Sequence, residues 1–176
     1  MYYLLVMITI FLLSAIAYQD YKARSVGWIF FPLLAGAGIA LSCMALHSIQ
    51  NALLNALPNI GFIALQILLL KLYFRVKDPK TTAFIDNKIG LGDILFLLAA
   101  SFFLSPLNFI LFYLLSLIFA VLLWLCRTIT NSRSEQWSIP LAGIQSIFFA
   151  LTICVCTLFH YSLTDDSWLL YKCTQI

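Results

Sequence analysis

The stretch Leu107-Asn-Phe-Ile-Leu-Phe-Tyr-Leu-Leu-Ser-Leu-Ile-Phe-Ala-Val-Leu-Leu-Trp-Leu-Cys126 runs for twenty residues without a single Asp, Glu, Lys or Arg. A bilayer core about 30 Å thick takes roughly 20 apolar residues in a helix. The segment therefore reads as one complete crossing of a membrane, bounded by the Ser105-Pro106 turn on one side and Arg127 on the other.

Five further apolar runs lie around it: Tyr2–Tyr18, Gly27–Leu46, Ala52–Phe74, Leu91–Leu104 and Ile139–Tyr161. The 176 residues are 63% hydrophobic and 10% charged, with a mean hydropathy of +1.01, far from the balance of a soluble domain. The expected fold is all-α, a polytopic membrane protein of about six transmembrane helices, with residues 1–176 forming a single domain. The Tyr2–Tyr18 run has no basic residue ahead of it and no small-residue cleavage site before Asp20, so it reads as the first helix rather than a signal peptide. Within the spans, Pro58 with Gly61 suggests a kink, and Ala35-Gly36-Ala37-Gly38 a close helix contact. That small-residue face is also where a homo-oligomer could form.

Charge placement orients the spans. Lys22 and Arg24 follow the first run, Lys71, Arg75, Lys77, Lys80 and Lys88 surround the third loop, and Arg127 and Arg133 lie in the fifth. Of the ten Lys and Arg, only Lys172 falls on the other side, where the tail also carries Asp165 and Asp166. Cation-rich loops face the cytoplasm, so both termini are expected to be non-cytoplasmic. The net charge of +3 is accounted for by this asymmetry. The lipid bilayer is the partner it implies, and nucleic acid is not.

Metal and cofactor chemistry find little support in the sequence. Cys43, Cys126, Cys154, Cys156 and Cys173 make no C-x-x-C pair, and His47 and His160 have no companion at metal-ligand spacing. No metal site and no cofactor are expected. Asp78, Asp86 and Glu135 lie in polar loops among cations, where solvated pairs are ordinary. Trp28 and the other interfacial aromatics read as a belt at the membrane surface.

Asp20 and Asp93 stand apart, because an ionisable group in a membrane segment costs several kcal/mol unless a partner, water or the protein interior receives it. Asp20 closes the first run and Asp93 opens the fourth, which places both at the cytoplasmic depth. If the first and fourth helices pack together, the carboxyls face one another, and two carboxyls a few Å apart cannot both ionise cheaply. A pair sharing one proton is what aspartyl proteolysis requires. Gly90 and Gly92 before Asp93 would let an extended substrate backbone come close.

Three motifs in order, Asp20-Tyr-Lys-Ala-Arg24 with Ser25-Val26, Lys88-Ile-Gly90-Leu-Gly92-Asp93, and Ile139-Pro140-Leu-Ala-Gly143, resemble the type IV prepilin peptidases, the G-x-G-D membrane aspartyl peptidases of bacterial and archaeal inner membranes. The resemblance covers nearly the whole chain in order, spacing and topology. It implies an endopeptidase that removes the short basic leader of pilin-like precursors at the cytoplasmic membrane face, with Asp20 and Asp93 catalytic. Arg24, Lys88, Gly90, Gly92 and Pro140 are then substrate-binding or supporting residues. Where the family commonly continues its first motif as Ile-Pro-Asn, this chain has Val26-Gly27-Trp28. The cysteine-bearing region linked to N-methylation in larger members has no counterpart, so peptidase activity without methyl transfer is expected. Presenilin-type proteases share the G-x-G-D motif, but their Pro-Ala-Leu motif is absent. Two non-catalytic alternatives stand beside these: a cation- or proton-coupled transporter, and an inactive assembly factor of a secretion or pilus system.

Overall fold

A computed structural model of the chain describes residues 1–77, 90–130 and 141–167. Six helices form among them: α1 (Tyr2–Ala23), α2 (Phe30–Leu46), α3 (Ile49–Lys77), α4 (Leu91–Ala100), α5 (Pro106–Thr130) and α6 (Leu141–Leu158). No strand occurs among the described residues. The protein is an all-helical membrane protein: α1, α3, α5 and α6 are each long and apolar enough to cross a bilayer, while α2 and α4 are apolar but shorter.

Much of the outer surface is apolar. Leu114, Ile118 and Leu122 on α5, for example, are exposed. In lipid such side chains gain nothing by moving inward, so helix association rests on close packing and on internal hydrogen bonds. Small residues supply the first. Ala37 and Gly38 of α2, Ala52 and Ala56 of α3 and Ala99 and Ala100 of α4 are all buried. A Cβ on Gly38 would lie 2.6 Å from the Phe103 ring, so α2 approaches that turn only because residue 38 has no side chain. Gly61, by contrast, faces open space, and α3 continues through Pro58 as one helix. Phe149 of α6 is the centre of the core, meeting the rings of Phe96, Phe103 and Phe112 at 6.4, 5.3 and 4.9 Å, the first two edge to face.

Most helix ends depart from the hydropathy reading by a few residues, as where α2 begins at Phe30, α3 spans Ile49–Lys77 and α5 ends at Thr130, and two of the departures bear on the site. α1 does not stop at Tyr18 but continues to Ala23, because Gln19-Asp-Tyr-Lys-Ala23 is polar yet compatible with a helix. Hydropathy marks the edge of the bilayer, not the end of the hydrogen-bond ladder. α4 stops at Ala100, short of the expected Leu104, and at about 1.5 Å per residue its ten residues span only half a bilayer. The rest of that passage is the irregular turn Ser101–Ser105. Irregular backbone at membrane depth survives only where the protein satisfies it. Asn59 of α3 donates from Nδ2 to the carbonyls of Ser101 and Leu104 at 3.1 and 2.8 Å, and the Ser42 hydroxyl donates to the Phe102 carbonyl at 2.6 Å.

Beyond α6 the chain folds back over the start of α5. The Ser105 N–H donates to the Leu163 carbonyl at 2.9 Å, and Asn108 Nδ2 donates to Ser105 Oγ and to the carbonyls of Leu163 and Asp165. Asp166 accepts the Ser105 hydroxyl and the N–H groups of Leu107 and Asn108. A carboxylate from a distant segment thus caps the first turn of α5, where free N–H groups and the helix dipole favour negative charge.

Candidate active site

Asp20 lies one turn before the end of α1, on the same buried face as Leu13 and Ile16. Arg24 closes the helix in a left-handed conformation, φ 50°, with its N–H donating to the Asp20 carbonyl at 3.0 Å. The following loop is tied back to the helix by the Gly27 N–H, which donates to Gln19 Oε1 at 2.9 Å. Val26 packs against the core, while Trp28 is exposed.

Asp93 sits in the first turn of α4, behind Gly90, the N-cap residue. Its own N–H donates to the Gly90 carbonyl at 3.1 Å, and its carboxyl folds back over Gly90 so closely that a Cβ there would lie 2.8 Å from Oδ2. The role of Gly90 is to leave room for the Asp93 carboxyl, since its φ of −64° is open to any residue. Gly92 is under no such constraint: a Cβ there would make an ordinary 3.8 Å contact with Phe31.

The two acids meet through a third element. α4 packs on α2, α6 and α3 rather than along α1, whereas α1 packs most extensively on α6, so direct pairing of the first and fourth helices is not what joins them. The start of α6 joins them. The Gly143 N–H donates to Asp20 Oδ2 at 2.5 Å, and the Asp93 carboxyl lies near the backbone of the preceding residue, Ala142. The first N–H groups of a helix have no partner within it and sit at the positive end of its dipole, so the first turn of α6 receives two carboxylates as a helix start receives any anion. The carboxyls are near enough to feel one another's charge.

Glycine at 143 makes this approach possible. A Cβ there would lie 3.0 Å from Asp20 Oδ2 and 3.2 Å from Asp20 Cβ. Asp20 is buried and Asp93 half-buried, so one acid is held inside while the other borders the surface.

Of the other residues singled out from sequence, Arg24 is exposed, and Lys88 and Pro140 lie outside the described residues. Two features of the site escaped the sequence reading. The start of α6 at Ala142 and Gly143 is one. The other is Gln145, which is fully buried on α6 with neither amide atom in a hydrogen bond. Each such group left unpaired costs about 1–3 kcal/mol. A proline two residues ahead of small residues at a helix start was the available signal for the first; a lone glutamine in an apolar helix was the signal for the second.

No protein-family model matches the chain, and no curated protein or solved structure matches it significantly.

Proposed function

We propose that this chain is a membrane aspartyl endopeptidase of the prepilin peptidase type, with Asp20 and Asp93 as its catalytic pair. The observation that supports this most is that two acids 73 positions apart in sequence come together at the start of α6, one accepting the Gly143 N–H and the other lying near Ala142. A structural acid needs one partner; a matched pair of acids does not arise from membrane topology alone.

The chemistry follows from sharing one proton between the two carboxyls. The ionised carboxylate takes a proton from a water molecule whose oxygen bonds to the scissile carbonyl carbon. The protonated partner hydrogen-bonds the carbonyl oxygen and transfers its proton as the tetrahedral diol forms. Collapse breaks the C–N bond: the amine nitrogen takes a proton from one carboxyl while a diol hydroxyl returns one to the other, so a carboxylic acid and an amine leave and the pair again holds one proton. The Gly143 N–H holds the Asp20 carboxyl in position throughout, and no cofactor enters the balance.

In this reading all six helices count as crossings, with α4 completed by its turn, and both termini are non-cytoplasmic. Lys22, Arg24, Lys71, Arg75 and Lys77 then mark the cytoplasmic side of a bacterial or archaeal inner membrane. The substrate is the leader junction of a pilin-like precursor, cleaved at the cytoplasmic face without methyl transfer.

The test is cleavage, by the purified protein in detergent, of peptides that join a short basic leader to an apolar segment. Asp20→Asn and Asp93→Asn keep side-chain shape and remove ionisation. Each is expected to lower turnover by about 10³-fold or more while the protein still folds. A folded wild type that cleaves no such peptide, or an Asn variant that keeps its activity, would sink the proposal in favour of a transporter or an assembly factor.

A further inference from the structure

Gln145 is an anomaly among the buried polar side chains. Thr9, Ser42, Asn59, Asn108 and Ser146 are buried too, and each donates to a backbone carbonyl. The Gln145 amide, a donor and an acceptor together, is fully buried and has no hydrogen-bond partner among the described residues. A buried amide without partners is a cost that a purely structural position would have shed, since Leu or Met fills the same volume without it.

Its place on α6 says where it leads. Ala142, which lies near Asp93, is three residues before it, and Phe149, whose ring meets Phe96 of α4, is four residues after it. Residues three and four apart share one helix face, so Gln145 sits on the face turned to α4, between the Asp93 contact and the Phe96 contact. Helical side chains lean toward the N-terminus of their helix. The amide is therefore carried from Cα145 toward the level of Asp93.

We propose that Gln145 is the substrate-backbone contact of this site, its side-chain amide pairing with one peptide group of the substrate next to the bond presented to Asp93. This rests on the peptidase reading. The chemistry of the partner follows from the amide itself, which offers one donor and one acceptor side by side, as a neighbouring strand does. A peptide group satisfies both, whereas an anion or a cation would satisfy only one. Because the amide is sealed between helices, the peptide reaches it only as α4 and α6 part, and the new pair of hydrogen bonds offsets that opening.

The experiment compares wild type with Gln145→Leu in detergent, using leader peptides in which single peptide bonds are replaced by esters. Gln145→Leu should melt at the same temperature as wild type or higher, since it removes an unpaired amide, while kcat/KM falls about 10- to 100-fold through KM. One ester position should impair wild type by a similar factor and the variant no further, the signature of a lost pairing. A structural glutamine would give the reverse: a lower melting temperature and no ester position that distinguishes the two proteins, and that result would overturn the inference. Where stability and rate fall together, the ester comparison decides. If wild type itself cleaves none of the peptides, the peptidase reading has failed before any change at residue 145, and this inference falls with it.

Discussion

At the end of the bundle where the tail folds back, the buried polar side chains of the described residues find partners: Asn108 reaches three acceptors, Asp166 caps α5, and Asn59 fills two carbonyls of the turn after α4. At the other end two carboxyls gather at the start of α6, one of them on the Gly143 N–H, and the Gln145 amide has no hydrogen-bond partner among the described residues. Both ends use the same device, a carboxylate on the first turn of a helix. One is saturated and the other is left with bonding capacity to spare. Saturated polar groups inside a membrane protein close its structure; unsaturated ones are kept at a cost, and reacting groups need that spare capacity.

The contrast predicts that substitutions will divide by end. Asp20→Asn and Asp93→Asn, the largest effect on turnover, should leave the melting temperature nearly unchanged. Asn59→Leu should do the opposite. It orphans the Ser101 and Leu104 carbonyls inside the bundle, and hydrogen bonds within membrane proteins average near 0.6 kcal/mol with a maximum near 1.7. A loss of about 1–3 kcal/mol in unfolding free energy is expected, measured by denaturation in mixed micelles, with kcat of the folded fraction unaltered. If Asn59→Leu abolished cleavage without loss of stability, the division between a closed end and a reactive end would be wrong.

Gly143→Ala tests the reactive end more finely. Its methyl group would press on Asp20 Oδ2 and Cβ, forcing the carboxyl to move by a few tenths of an ångström. Alanine in place of glycine within a helix returns about 1 kcal/mol, which opposes the steric cost, so stability should change little. Cleavage should fall roughly 10-fold because the carboxyl is displaced from its partner. A drop in melting temperature with normal turnover would show that Gly143 serves helix packing alone.

The sequence made some of this legible and hid the rest for physical reasons. Asp20 and Asp93 were visible because charge inside an apolar run is costly and needs a cause. The all-helical fold was visible because six apolar runs leave little other chain. The end of α4 at Ala100 was hidden, since Phe102, Phe103 and Leu104 continue the apolar run, and what allows the helix to stop is side chains from α2 and α3. The joining of the aspartates by α6 was hidden as well, because Pro140 ahead of Ala142-Gly143 marks a helix start but does not say what the first N–H groups of that helix meet. Gly90 was legible as significant but for another reason, close approach of a substrate, where the structure shows its own neighbour Asp93 filling the space.

The smallest effect belongs to the closed end, at Asp165. The Ser167 hydroxyl and N–H both donate to its carboxylate, at 2.6 and 3.0 Å, and hold its pKa below the ordinary 3.8. A carboxyl whose pKa is lower folded than unfolded contributes stability above its unfolded pKa, and that contribution disappears as pH falls through the folded value. Ser167→Ala should therefore move the Asp165 titration midpoint, followed by carboxyl carbon NMR in micelles, up toward 3.8. Any difference in stability between the two proteins should be present at neutral pH and vanish below both midpoints. Because Asp165 is exposed to solvent, this difference should be the slightest of the set. A midpoint that stayed put in Ser167→Ala would mean that the turn at Asp165 adds nothing to the contacts through Ser105, Asn108 and Asp166 that anchor the tail.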